Sequence, residues 1–159
     1  MDPANPSNPL FDHASDPVFQ HLRLNHFPII LGMVAVIAIV IALISRRDGV
    51  WRYAMITMLI AGITAFPAYW TGERAYDKVY DWPELNPEAL GDHEESAEVA
   101  LWALLAAGGV AGVALVKKNT ATRIAFVVTA LVAVGATVYT GAQAGNIVHG
   151  EQEREHSKK

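Results

Sequence analysis

The chain has 159 residues, of which 52% are hydrophobic and 18% are charged, and it contains no cysteine. The lack of cysteine excludes disulfides, thiolate zinc sites, iron–sulfur clusters and covalently attached c-type haem. The net charge of −4 argues against a nucleic-acid partner, which would require a basic face. The motifs of soluble hydrolases and nucleotide-binding enzymes are also missing, so the sequence assigns no catalytic residue and leaves enzymatic activity open.

Four long uncharged apolar blocks determine the expected fold class. Each block, at about 1.5 Å per residue, approaches or exceeds the length needed to cross a hydrocarbon core of about 30 Å. A chain this small has too little other protein to cover four helices that are apolar on every face. The sequence therefore predicts an all-α integral membrane four-helix bundle. The predicted helices are 26–46, 51–72, 93–116 and 121–149.

The two ends of the chain are predicted to be polar extensions of this bundle. Residues 1–25 are rich in Pro and Asp, which predicts an irregular N-terminal tail. This segment lacks the basic start and short apolar core of a cleavable signal peptide, so helix 1 is expected to be retained. Residues 150–159 are predicted to form a polar C-terminal tail.

Basic residues are concentrated in the two short connections, between helices 1 and 2 and between helices 3 and 4. These connections hold six of the twelve lysines and arginines and one acidic residue, Asp48. Because positively charged loops stay on the cytoplasmic side, the sequence predicts an up-down-up-down bundle with both termini outside. The expected location is the bacterial inner membrane, with the lipid bilayer as the main partner.

All six histidines fall on the predicted outer side, and three of them lie at helix ends. His26 opens helix 1, His93 opens helix 3 and His149 closes helix 4. A polar stripe precedes His149 at helical spacing, and in an apolar helix such a stripe has to face the bundle interior or a water-filled cavity. The stripe consists of Tyr139, Gln143 and Asn146.

Haem b is the favoured cofactor for this group of histidines. Its iron needs one or two axial imidazoles, an apolar slot between helices, and cations near the propionates. His26 and His93 open helices that lie diagonally opposite in a sequential bundle, with His149 at a similar depth. Arg23 and Arg74 are placed to pair with the propionates. The expected function is electron transfer, with a periplasmic electron carrier or quinol as the partner.

A non-haem metal site is the second possibility. His26, His93 and His149 with Glu73 and Glu94 would form a mixed nitrogen and oxygen ligand set, which suits iron, copper, zinc or manganese. This set explains the carboxylates better than haem does. Neither possibility has a spacing signature as sharp as HExxH.

The third possibility involves no cofactor. The acidic residues around His93 complement the dipole at the start of helix 3, so His93 would belong to a polar cap. The protein would then be a structural or assembly subunit of a larger membrane complex. The sequence also contains a weak trace of parallel internal duplication, in which His26 and His93 open the two hairpins.

Four short segments carry a family resemblance: LNHFPI at 24–29, PAYWTGERA at 67–75, HEESAEVALW at 93–102 and GNIVHGE at 145–151. They resemble a group of four-span bacterial inner-membrane proteins of unknown function with a His-Phe-Pro start to the first helix. The resemblance covers about residues 21–151. It implies a four-helix bundle and supplies no activity. It marks as motif positions His26, Glu73, His93, Glu94 and His149.

Overall fold

The computed structural model describes residues 15–80, 82 and 85–157, and the regular structure within these ranges is entirely helical. Of Asn146 and residues 148–157 only the backbone is described. We number the helices in chain order. They are α1 (Pro17–Leu24), α2 (His26–Ser45), α3 (Asp48–Val79), α4 (Pro87–Lys117) and α5 (Thr120–Ser157).

Four segments of this structure are long and apolar enough to cross a membrane, which confirms the predicted class. In the first segment α1 and α2 follow each other with only Asn25 between them. Composition is sufficient for this prediction, because four such helices need an apolar solvent around them. The four spans are Pro17–Ser45, Asp48–Val79, Pro87–Lys117 and Thr120–Gly145.

The helices continue beyond the apolar blocks that predicted them. α3 ends at Val79 instead of residue 72, and α4 begins at Pro87 instead of residue 93. α5 continues to Ser157, through most of the segment predicted as a polar tail. The apolar blocks mark only the part of each helix suited to lipid. Helical hydrogen bonding propagates through Glu, Arg and Ala beyond them, because these residues favour helix.

The N-terminal segment, predicted to be irregular over 1–25, contains helix α1. The Asp16 side chain caps this helix by accepting a hydrogen bond from the Val18 N–H at 2.9 Å, and Pro17 occupies its first position. The prediction treated Asp and Pro as loop residues, whereas here they form a helix start. Residues 1–14 of the predicted tail lie outside the described residues.

A salt bridge joins the start of α1 to the last turn of α3. Lys78 Nζ lies 2.8 Å from Asp16 Oδ2, and this hydrogen bond holds the pKa of the Asp16 carboxyl below its usual value. α1 also packs extensively against α3. The short helix is therefore fixed to the bundle and cannot be treated as a free tail.

Helices α2 to α5 form a closed ring, in which each helix packs against the next and α2 packs against α5. The centre of the ring is unusually rich in small side chains, while large apolar side chains such as Ile44 (79% exposed) and Val116 (82% exposed) lie outside. Such a distribution is typical of helices that pack closely and face lipid. The buried alanines of the core include Ala35, Ala42, Ala54, Ala61, Ala107, Ala111, Ala130 and Ala133.

The second hairpin repeats the first at an offset of 72 residues, which is the separation of Arg46 and Lys118. These residues end α2 and α4, and both have left-handed backbone angles, with φ of 53° and 40°. Their N–H groups donate to equivalent carbonyls, those of Ala42 and Ala114. The sequence pattern Thr-x-Leu-x-Ala also recurs, at 57–61 and 129–133. The two hairpins are therefore structurally equivalent. Their helices correspond in the same chain order, α2 to α4 and α3 to α5.

Candidate functional site

Two imidazoles from different helices lie beside the same pair of cavities. His21 belongs to α1 and His93 to α4, and both are half-buried. His21 Nδ1–H donates to the carbonyl oxygen of Ala68 in α3 at 3.0 Å, and His93 Nδ1–H donates to that of Thr140 in α5 at 3.1 Å. Each imidazole is thus attached to the second long helix of its own hairpin.

His21 and His93 occupy equivalent positions in the internal repeat. Each carbonyl acceptor lies 47 residues after its histidine, and both the histidines and the acceptors are 72 residues apart. With the proton on Nδ1 held by a carbonyl, Nε2 keeps its lone pair in the neutral ring. The repeat therefore supplies two imidazoles in the same tautomer, each with one nitrogen available to a ligand.

A second hydrogen-bond network fixes the helix contact next to His93. The Thr140 hydroxyl donates to the carbonyl of Ser96 at 2.8 Å, and the Ser96 hydroxyl donates to the carbonyl of His93 at 2.9 Å. Ser96 is buried. These bonds connect α4 to α5 within one turn of His93, and they hold the Thr140 carbonyl in position for the imidazole.

Gly72 provides the space that His21 occupies. A Cβ atom at this position would lie 2.9 Å from Cε1 and 3.1 Å from Nδ1 of His21. Both distances are shorter than an ordinary van der Waals contact. The contact between the Gly72 backbone and the imidazole thus depends on glycine at this position.

We expect Gly72→Ala to displace the His21 ring from the Ala68 carbonyl while leaving the bundle folded. The clash involves the end of a side chain, and alanine in a helix is more favourable than glycine by roughly 0.5–1 kcal/mol. Nitrogen NMR of the imidazoles would measure the change, as loss of the fixed tautomer of His21. Gly91→Ala in α4 is the control, since a Cβ there meets nothing within 4 Å. An unchanged His21 signal in Gly72→Ala would contradict this account.

Two adjoining cavities flank the imidazole pair. The small cavity, of about 120 Å³, lies between the helices and is lined mainly by apolar groups such as Ile29, Leu101 and Leu104. The large cavity has a volume of about 320 Å³ and also contains polar groups. His21 and His93 line both cavities, as do Asn25, Tyr69, Ala97 and Ala144. The imidazoles therefore lie where the apolar and polar spaces meet.

The large cavity contains two carboxyl groups and two phenols. Glu73, Glu94, Tyr69 and Tyr76 all line this cavity together with His21 and His93. The imidazoles therefore have acidic groups and neutral hydroxyl donors in the same cavity.

Asn25 contributes an amide to both cavities. Its Oδ1 atom is buried and has no hydrogen-bond partner among the described residues. Leaving a buried acceptor without a partner costs about 1–3 kcal/mol. Because an amide oxygen only accepts hydrogen bonds, this atom favours a ligand with a donor group at this side of the imidazole pair.

The structure brings three of the sequence-predicted ligands together, namely His93, Glu73 and Glu94. His26 lies elsewhere: its side chain is exposed, and its Nδ1–H donates to the Leu22 carbonyl at 2.7 Å. It is not among the residues that line either cavity. The side chain of His149, the remaining predicted ligand, lies outside the described part of the chain.

The two arginines predicted to pair with propionates also lie outside the cavities. Arg23 packs over the Phe19 ring at 5.0 Å from its centroid, and Arg74 packs over the Trp70 ring at 3.8 Å. Both arginine side chains are exposed. A guanidinium held over an aromatic ring is stabilised there by cation–π attraction. Neither arginine lines the cavity beside His21 and His93.

The mixed nitrogen and oxygen metal set is not assembled within the described residues. No group of three or more histidine, aspartate or glutamate side chains is positioned there to hold a metal ion. His93, Glu73 and Glu94 line the same cavity, but this does not bring them close enough together to hold one metal ion. His21 replaces His26 as the imidazole beside His93.

The sequence analysis chose His26 and not His21 because His26 opens the first apolar helix, at the predicted depth of His93 and His149. The recurrent Thr-x-Leu-x-Ala pattern at 57–61 and 129–133 contains the correct offset and aligns His21 with His93. No protein-family model, curated protein or solved structure matches this chain. The resemblance to a four-span bacterial family stays a prediction.

Proposed function

We propose that the bundle binds one haem b between His21 and His93 and functions in electron transfer. The observation that carries this proposal is the pair of repeat-related imidazoles that line the same cavities. Each is attached through Nδ1 to a helix carbonyl, at 3.0 and 3.1 Å, and retains Nε2 for an axial bond. Histidines on separate helices of a bundle are a common way to hold such a cofactor.

The carbonyl partners prepare the imidazoles for this role. A hydrogen bond from the second ring nitrogen fixes the orientation of a ligating histidine and increases its basicity. Ala68 and Thr140 supply these carbonyls from two different helices. The ring orientations are therefore set before any ligand binds, which reduces the entropic cost of binding.

The small cavity, at about 120 Å³, is too small for a whole porphyrin, so a bound haem would place one apolar edge there and the remainder in the large cavity of about 320 Å³. Ala65, Ala97 and Ala100 occupy little volume, and Leu101 and Leu104 exclude water from the deeper side. Bound haem would supply a one-electron couple, and the surrounding apolar groups would set its potential through the local polarity. The chain itself would hold haem through His21 and His93, and the leucines would keep water away from the two imidazoles.

The polar groups of the large cavity revise the predicted partners of the propionates. Arg23 and Arg74 lie outside the cavity, so the Asn25 amide and the phenols of Tyr69 and Tyr76 are the available neutral donors. Glu73 and Glu94 add negative charge, which would stabilise the oxidised form of the cofactor. The proposed electron donor is quinol or a periplasmic carrier.

The absorption spectrum of the full chain, purified in detergent, tests the proposal. We expect the Soret band of a six-coordinate b-type haem, with about one haem per chain and sharpened visible bands after reduction with dithionite. A preparation that stays colourless, and that does not bind added hemin, would contradict the proposal. The cofactor-free structural subunit would then be the better account of the fold.

We further propose an alternating arrangement of the helices in a bacterial inner membrane, with both termini outside. The basic connections support it, and Arg123 pairs with Asp48 at 2.7 Å, so the two connections lie at one end of the bundle. Alkaline phosphatase fused after Lys159 is expected to be active, whereas the same reporter inserted after Arg47 is expected to be inactive. An active Arg47 fusion with an inactive Lys159 fusion would reverse the proposed orientation.

A further inference from the structure

A separate pocket lies at the end of the bundle that carries the basic connections. It has a volume of about 160 Å³, and Asp48, Trp51 and Arg52 line it from the start of α3. Lys118, at the end of α4, and Arg123, in the first turn of α5, complete its charged wall. Three cations and one carboxylate give this pocket a net positive charge.

The Arg123 guanidinium is only partly satisfied by the protein. Its Nη2 donates to Asp48 Oδ1 at 2.7 Å, and its Cζ lies 5.3 Å from the centroid of the Trp51 ring. Its Nε atom is buried and has no hydrogen-bond partner among the described residues. A guanidinium that is held by a carboxylate and lines a pocket with two further cations is arranged to bind an oxyanion.

Exposed apolar residues follow two of the pocket-lining residues in the sequence. Val116 is 82% exposed and directly follows the lining residue Leu115, and Ile124 is 60% exposed and directly follows Arg123. Both side chains belong to segments long and apolar enough to span a membrane, so they would face acyl chains. A small inorganic anion would make no use of this apolar surface, whereas an amphiphile with an anionic head would contact both parts.

We propose that this pocket binds the phosphate of an anionic phospholipid. Lys118 and Arg52 approach the phosphate as cations, and Arg123 is the donor held in place by Asp48. The acyl chains lie against the apolar surface next to Val116 and Ile124. Basic pockets at the ends of membrane helices are known binding places for anionic headgroups. The proposal does not depend on haem binding, because it concerns the opposite end of the helices from His21 and His93.

Native mass spectrometry of the full chain in an uncharged detergent tests this site. The probes are phosphatidylglycerol and phosphatidylcholine with the same acyl chains, and inorganic phosphate alone. We expect one phosphatidylglycerol per chain to be retained in preference to phosphatidylcholine. Arg52→Gln and Lys118→Gln are each expected to weaken its binding by about tenfold, because each removes one charged hydrogen bond to phosphate.

Arg46→Gln is the matched control. Like Lys118, Arg46 ends its helix with a left-handed backbone and donates its N–H to an alanine carbonyl. Unlike Lys118, it does not line the pocket. Its replacement is expected to leave phosphatidylglycerol binding unchanged.

Three results would overturn the proposal. Equal retention of phosphatidylcholine would mean that only acyl chains are recognised. Displacement of phosphatidylglycerol by an equal concentration of inorganic phosphate would mean that the pocket takes a small anion. An equal loss of binding in Arg46→Gln and Lys118→Gln would assign the effect to general surface charge at this end of the bundle.

Discussion

Alanine at position 21 or 93 is expected to remove the bound haem, whereas alanine at position 26 leaves it in place. Each of the first two changes deletes an axial nitrogen, and nothing else on α1 or the start of α4 is placed to replace it among the residues that line the cavities. Loss of a group that only supports a metal ligand already lowers affinity about 10–100-fold. Loss of the ligand itself should therefore lower the haem content of the purified protein at least tenfold, measured as pyridine haemochromogen per chain.

His26→Ala is the matched control for this experiment. His26 lies five positions after His21 in the same N-terminal segment, but its ring is exposed and donates to the nearby Leu22 carbonyl. The repeat also predicts comparable losses in His21→Ala and His93→Ala, because the two rings have equivalent anchors. Haem that is lost with His26 and retained with His21 would restore the ligand pair predicted from the sequence.

Composition predicted the membrane class because the energetics of transfer into lipid depend on the sum of many side chains. Four uncharged blocks are enough to identify four spans, whatever their packing. The ends of the helices were harder to predict. Polar residues such as those at 73–79 and 87–92 continue a helix outside the apolar region, and hydropathy carries no signal for where they stop.

The site was predicted only in part. A sequence shows the depth of a residue along the bundle more readily than the direction in which its side chain points. His93, Glu73 and Glu94 lie at the ends of helices that the sequence already placed at one level, and they do share a cavity. His21 and His26 also lie at a similar depth, but five residues correspond to a rotation of about 140° around a helix. Because residues 1–25 were predicted to be irregular, the prediction did not consider that His21 and His26 lie on different faces of a helix.

The internal repeat illustrates a further limit of sequence reasoning. Few residues are shared at the offset of 72, since lipid-facing positions accept any large apolar side chain and central positions accept several small ones. The equivalence of the hairpins lies instead in backbone features, such as the left-handed caps at Arg46 and Lys118 and the paired histidine anchors. A backbone equivalence of this kind becomes visible only when the chain is folded.

The close contact between α3 and α4, which supports the site of His21 and His93, depends on Gly62. A Cβ atom there would lie 2.8 Å from the Leu104 carbonyl oxygen and 3.3 Å from Gly108 Cα. Both obstacles belong to the backbone of the facing helix, so no side-chain rotation can relieve the clash, and the two helices would have to separate. Gly62→Ala is accordingly expected to destabilise the protein by about 1–3 kcal/mol, the usual cost of overpacking a close contact.

Thermal unfolding in detergent, compared with Gly109→Ala, would measure this effect. A Cβ at Gly109 meets nothing within 4 Å, and alanine there is expected to be neutral or to stabilise the helix by roughly 0.5–1 kcal/mol. Since α3 carries the Ala68 anchor and α4 carries His93, separation of these helices should also reduce haem retention in Gly62→Ala. If Gly62→Ala unfolds at the same temperature as Gly109→Ala, the two helices do not approach as closely as this structure requires.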